Sequence, residues 1–365
     1  MNERFLFCSD SVFQLFNAIV IKKTMYPNVP SDLVLTDYTD FSSILPALSE
    51  VGLFENIVCV EVFDKSRAFN TLDASEKAAI LEESESYFPF PTDADYTDFF
   101  VPIDHIHWKL IYYTKLAQGK KINLHLYEEG LRTYTRDIFA TEKAESYLPY
   151  YCKENPFTSA ITEVLVYNPE LFALDKTDLP ITKIEKINRS NKELTDIIAA
   201  VFPCSKLPEE KFIFFEEAYI GDNNAANDME LFEEIANTVG KENIIVKFHP
   251  RNKTDRFTPK GYKVMPEWHT PWETQLALND VSDKIFITIS STASVTPFLI
   301  FGDRMLAIHL VRRFVGASPL QMDKAFEQCY RNIVNLCNKD GLCIYRPSTH
   351  EETVEIINYY NRKGD

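Results

Sequence analysis

Glycine is scarce in this chain, 10 residues in 365. No Gly-rich phosphate loop can be built from them. A bound phosphate would have to be met by hydroxyls, helix N–H groups, an imidazole and cations. Metal patterns are missing as well. The seven cysteines, Cys8, Cys59, Cys152, Cys204, Cys329, Cys337 and Cys343, are odd in number and contain no Cys-x-x-Cys. Cys8 and Cys59 sit in apolar strand patterns, so reduced thiols without a zinc site are expected. No Asp-x-Asp follows a strand, because Asp93-Ala94-Asp95 lies in a polar, Pro-flanked stretch. No apolar run reaches the ~18 residues of a transmembrane helix. The opening Met-Asn-Glu-Arg-Phe-Leu-Phe-Cys is too short an apolar run for a signal peptide. Positive charge is in deficit too, with 38 Lys and Arg against 54 Asp and Glu and a net charge of −16. That argues against non-specific nucleic-acid binding and electrostatic docking on anionic lipid, while permitting a local basic pocket such as Lys247 to Arg256. The expectation is a cytoplasmic protein, at most peripheral to the inner face of a membrane.

Aromatic residues are plentiful, 27 Phe and 18 Tyr, and they suit large cores or the stacking of sugars and bases. A chain of 365 residues exceeds the size at which one core usually divides. Short apolar strands alternate with helical periods from Arg4 to Tyr127, and again from Lys211 to Leu310. Such alternation means parallel βαβ units. The fold class expected is therefore α/β, with two Rossmann-like domains facing a cleft. The first takes residues 1–202, the second 203–345, and 346–365 form a C-terminal helix. The stretch 142–188 shows no clear period, and 203–210 read as a linker. Residues 293–301 read as an apolar helix following a strand.

Certain strand ends carry chemistry. Ile244 to Phe248 form a strand that His249-Pro250 closes, since proline has no N–H to give a ladder. Lys247 and Arg251 flank that histidine, a set suited to phosphate. Tyr127-Glu128-Glu129-Gly130 follows the fifth strand, and one of its carboxylates can serve as a general base if its pKa is raised in a half-closed site. Ser290-Ser291-Thr292 joins a buried strand to the expected helix, where N–H groups and hydroxyls suit an anion. Glu273, in the first turn after Pro271-Trp272, can accept from both hydroxyls of a ribose. Ser9 and Asp10 end the first strand, and His105 and His107 follow the fourth; these are candidate acceptor contacts. Each motif alone is equally a capped or solvated turn.

Tyr-Glu-Glu-Gly, Lys-Phe-His-Pro and Ser-Ser-Thr, in that order, resemble the motifs of the bacterial sialyltransferases. The opening strand with Ser-Asp-Ser and Gln14, and Pro-Trp-Glu, look like glycosyltransferase family 52, which includes lipooligosaccharide sialyltransferases. The resemblance spans Phe5 to Thr296. It implies a fold of the GT-B type and an inverting, metal-independent transfer of sialic acid from CMP-sialic acid to an acceptor glycan, with no cofactor. It implies that Glu129 is the general base and that His249 contacts the donor phosphate. Ser290, Ser291 and Thr292 would bind that phosphate, Glu273 the ribose, and Glu216 would stand where relatives touch cytosine. Glu216-Glu217-Ala218 departs from the Gln-Pro often seen there. A UDP-hexose transferase, a nucleotide-sugar epimerase and a non-catalytic glycan- or nucleotide-binding component of surface polysaccharide assembly are the rivals. Acceptor, linkage and oligomeric state are left open.

Overall fold

The computed structural model describes residues 3–82, 94–136, 153–172, 179–202, 204, 206–218, 226–249, 251–252, 254–266, 270–316 and 323–362. Cys152, Asp93 and Pro250 lie outside these residues, as does part of the expected linker. The chain divides into two α/β units, Met1–Glu185 with Lys192–Val201, and Lys186–Asn191 with Phe202–Asp365.

The first unit runs β1 (Phe5–Ser9), α1 (Val12–Thr24), β2 (Ser31–Thr36), α2 (Leu45–Val51), β3 (Ile57–Val60), α3 (Phe63–Thr71), α4 (Ala74–Glu82), β4 (Asp98–Val101), α5 (Ile106–Ala117), β5 (Asn123–Tyr127), α6 (Leu131–Thr135), β6 (Ile161–Val166), β7 (Ile181–Lys183) and α7 (Lys192–Val201). Its sheet has the order β3-β2-β1-β4-β5-β6-β7, and its pairs are parallel. Every residue of β1 is buried, as a central parallel strand covered on both faces requires. Phe7 lies in register with Leu33 on one side and Phe100 on the other, and its ring stacks on Phe100 at 4.4 Å. Ser11 caps α1 by accepting from the Gln14 N–H, and α1 is then buried without interruption from Gln14 to Lys22.

The second unit runs β8 (Phe212–Phe215), α8 (Asp228–Val239), β9 (Ile244–Lys247), β10 (Lys263–Val264), α9 (Trp272–Leu278), β11 (Ile285–Thr288), β12 (Leu306–His309), α10 (Lys324–Cys337), β13 (Ile344–Tyr345) and α11 (His350–Arg362). The sheet order is β10-β9-β8-β11-β12-β13, again with parallel pairs. Phe214, Phe232, Val246 and Ile287 share one core with Ile357 of α11. The terminal helix is thus an integral part of this unit rather than a separate segment. In both sheets the strand order reverses once, between β1 and β4 and between β8 and β11. At such a switch point adjacent loops diverge and leave a crevice beyond the strand ends.

The structure corrects several sequence expectations. The stretch 142–188 holds two strands, β6 and β7. Glu163 in β6 is engaged with His125 at 2.7 Å, so its charge interrupts the apolar pattern without ending the strand. The edge strands β10 and β13, each two residues long, are too short for periodicity to show. Residues 293–301 are not an α-helix. A 3₁₀ turn over Thr292–Ser294 gives way to a π turn over Pro297–Phe301, since Pro297 lacks the N–H that would continue an α ladder. Cys59 is exposed because β3 is an edge strand. The described cysteines are free thiols.

Candidate active site

At the first switch point β1 delivers Asp10 and β4 delivers His105, His107 and Trp108. Asp10 is 4% exposed, and donors fill both its oxygens. Oδ1 accepts from Thr36 Oγ1 at 2.7 Å and from His107 Nε2 at 2.9 Å. Oδ2 accepts from His105 Nδ1 at 2.8 Å and from Trp108 Nε1 at 3.0 Å. Burial alone would raise this carboxyl, but the bonds from His105 and His107 outweigh it and hold Asp10 well below the usual carboxylate range. His107 is fully buried, and burial lowers its pKa despite Asp10, so its Nδ1 accepts from Ser66 at 3.3 Å. His105, the N-cap of α5, keeps 35% of its side chain exposed, and Tyr38 stacks on it at 5.7 Å. Ser9 is buried, and its hydroxyl pairs with that of Tyr127 at 3.0 Å.

The end of β5 places two neighbouring carboxylates in different surroundings. Glu128 is 4% exposed, takes a hydrogen bond from Tyr134 Oη and accepts from the Tyr167 N–H at 2.9 Å. Glu129 points the other way. Its Oε2 accepts from Gln14 Nε2 at 3.3 Å, and its Oε1 is buried with no hydrogen-bond partner among the described residues. Gln14 Oε1 in turn accepts from the Asp10 N–H at 2.6 Å, which ties Glu129 to the switch point. Burial lifts both carboxyls to about 7. For Glu129, His105 and Gln14 resist that rise. Gly130 turns the chain at φ 114°, a conformation open to glycine alone at little cost.

At the second switch point β8 delivers Glu216 and Glu217, and β11 delivers Thr288 to Thr292. Glu217 accepts from the Ser290 N–H, from Ser290 Oγ at 3.2 Å and from Thr288 Oγ1 at 3.2 Å. Glu216 is buried and committed to Arg256 at 2.8 Å, which also holds Asp228 at 2.6 Å. Ser291 caps its own turn by accepting from the Ala293 N–H, and Thr292 opens it.

His249 follows β9 and its N–H donates to Glu216 at 3.3 Å. Its Nδ1 accepts from the Arg251 N–H at 3.2 Å, so the neutral ring carries its proton on Nε2. Lys247 does not stand beside it as a surface cation. The ammonium is buried, donates to the Thr270 carbonyl at 3.1 Å, and is lowered to about 8 by that burial. Arg251 is exposed. Glu273 opens α9 half-buried, with its pKa raised by burial and held back by Lys247. Sequence reading did not find Gln14 as a tether, Glu217 as an anion inside the Ser290 turn, or Arg256 as the partner of Glu216. Only the offsets of these residues from strand ends could have suggested them.

No family model matches the chain, and no curated protein does. Solved structures that it resembles include a sialyltransferase from Photobacterium damselae, over the residues of its GT-B domain, with 13% identity, 94% of this chain and 100% of that one covered, and a TM-score of 0.45. A UDP-glucosyltransferase from Polygonum tinctorium is 11% identical over 99% of this chain and 93% of its own, with a TM-score of 0.49. A UDP-N-acetylglucosamine 2-epimerase from Rickettsia bellii is 13% identical over 99% and 98%, with a TM-score of 0.44. Identities this low carry no residue correspondences, so the site is read from this chain's own side chains. No described helix is long and apolar enough to cross a membrane.

Proposed function

We propose that this chain is a glycosyltransferase of the GT-B type, resembling family 52, that moves sialic acid from CMP-sialic acid to a hydroxyl of a surface glycan, with a galactoside as the favoured acceptor. The carrying observation is Glu129: a half-buried carboxylate, raised to about 7, with one oxygen unpartnered among the described residues, beside the Asp10–His105 pair. Such a group is poised to take a proton near neutral pH. In the reaction the acceptor hydroxyl gives its proton to Glu129 and its oxygen bonds to the anomeric carbon with inversion. The bond from that carbon to the phosphate oxygen breaks, and its electron pair leaves with CMP.

On this reading the second unit takes the nucleotide. His249 Nε2–H, the Ser290–Thr292 turn and Arg251 meet the phosphate, and Glu273 meets the ribose. A monophosphate leaving group carries less charge than a diphosphate, so hydrogen bonds from preorganised donors suffice without a metal or other cofactor. On this reading the protein is cytoplasmic, at most peripheral to the inner face of the membrane.

A nucleotide panel tests this. CMP should raise the melting temperature and UDP should not, and transfer from CMP-sialic acid should persist in EDTA. Stabilisation by UDP alone, or loss of transfer in EDTA with recovery on adding Mg²⁺, sinks the reading.

A further inference from the structure

The first switch point holds a titratable group that the reaction above does not use. Asp10, with each oxygen doubly bonded to donors, is a fixed anion that orients His105 through Nδ1. Nε2 of His105 has no hydrogen-bond partner among the described residues, and the ring is partly open to solvent. The same Asp10 residue reaches Glu129 by a second route, from its N–H to Gln14 and from Gln14 Nε2 to Glu129 Oε2. Imidazole and carboxylate are thus hung from one residue by two short hydrogen-bonded arms.

We propose that His105, held on Asp10, is a positioning residue for Glu129: its ring, when charged, is the counter-charge that keeps Glu129 in its ionised, proton-accepting form. The inference rests on Glu129 being the general base.

The other charges around Glu129 are less suited to this. Arg136, which follows α6, is paired with Asp104 at 2.8 Å. Arg132 in α6 is exposed, and water screens it. Tyr127 lies in β5 beneath and is neutral, its hydroxyl raised well above its ordinary value by burial. Glu128 shares the turn, but its carboxylate is bound on the Tyr134 and Tyr167 side. His107 is buried and lowered, so it contributes no charge near neutral pH. Of the influences that oppose the burial of Glu129, His105 is the strongest.

The three ligand atoms of Asp10, His105 and His107 lie within 4.8 Å of one another, a spacing that a metal ion would accept. Here the lone pairs of Asp10 are already met by four donors, one of them the indole N–H of Trp108, which cannot ligate. The hydrogen-bonded reading therefore fits the side chains better than a metal centre does.

The test is a difference infrared titration of the carboxyl band of Glu129, identified as the band missing from Glu129→Gln, in the wild type and in His105→Gln. Asn at the same position is the second variant, since Asn suits an N-cap and preserves the start of α5. Removing a neighbouring charge should move the midpoint up by about one pH unit. The acid limb of the kcat profile should move with it, while rates at alkaline pH converge on the wild type. A midpoint that stays put in both variants overturns the proposal, and so does a loss of rate that is uniform across pH, the mark of a mere acceptor contact. Full activity in Glu129→Gln would instead remove Glu129 as the base, an outcome the infrared midpoint does not depend on.

Discussion

The two switch points are built alike and filled differently. In each, the first strand of the unit ends in a carboxylate, Asp10 after β1 and Glu217 after β8, and the fourth strand supplies its donors. In the first unit those donors are imidazoles and an indole, joined by one hydroxyl, Thr36 of β2. In the second they are a backbone N–H and hydroxyls, which do not titrate near neutral pH. The remaining charges divide in the same way. Glu129 is left with an oxygen unpartnered among the described residues, whereas Glu216, Arg256 and Asp228 close on one another. On the proposed reading the first crevice moves a proton and the second holds an anion at fixed charge.

The contrast breaks most visibly at Glu129. Glu129→Gln keeps size and hydrogen bonding but cannot take a proton, so kcat for transfer to a galactoside should fall ~100- to 10,000-fold. CMP affinity should barely change, because the nucleotide is assigned to the other unit. Glu128→Gln should lose less activity and more stability, since its carboxylate braces Tyr134 and the start of the Tyr167 loop. A dead Glu128→Gln with an active Glu129→Gln would reverse the two roles. The next effect lies in the second unit. His249→Ala removes a donor to developing charge and should lower turnover on the order of 100- to 1000-fold with the fold intact. A variant within a few-fold of wild type would remove His249 from the phosphate.

Stability against pH should also respond with opposite sign to two buried groups, one in each unit. Burial lifts Glu128 from 4.5 to about 7, so the folded state holds a proton that the unfolded state releases. That contribution is lost as pH rises through the window. His309, buried against Ser294 and Tyr330, is lowered from 6.5 to about 3, so its contribution is lost as pH falls. Between pH 5 and 6.5 each group changes unfolding free energy by about 1.4 kcal/mol per pH unit, with opposite slopes. Urea denaturation across that window should show Glu128→Gln making the slope more positive and His309→Asn making it more negative. Parallel shifts in both variants would contradict these assignments.

The alternation of strands and helices made the two parallel sheets legible, because buried parallel strands read as apolar runs whatever lies between them. The opposite facing of Glu128 and Glu129 was also legible, since Gly130 marks the turn and period-two alternation sends neighbours opposite ways. The choice of Glu129 as base came from the resemblance alone. Spatial pairing was not legible. Nothing local says that Arg256 closes on Glu216, 40 residues earlier, or that Lys247 turns inward to a carbonyl. His107 and Ser9 looked like acceptor contacts, but their burial depends on β2, β5 and α3 arriving around them. The apolar run after Thr292 suggested a helix, and a single Pro297 within it was enough to change the ladder.

The smallest expected effect probes the second switch point directly. Glu217 occupies the Ser290 N–H and hydroxyl, the same donors proposed for the donor phosphate. A phosphate arriving there must displace a carboxylate of its own sign. Glu217→Gln removes the charge but leaves an amide oxygen that can still accept from Ser290. CMP should therefore bind more tightly by roughly 1 kcal/mol, about fivefold. Cytidine, which has no phosphate, should bind both proteins equally, so isothermal titration with the pair isolates the phosphate. Weaker CMP binding together with weaker cytidine binding would mean that Glu217 touches the base, and the second crevice would then recognise more than an anion.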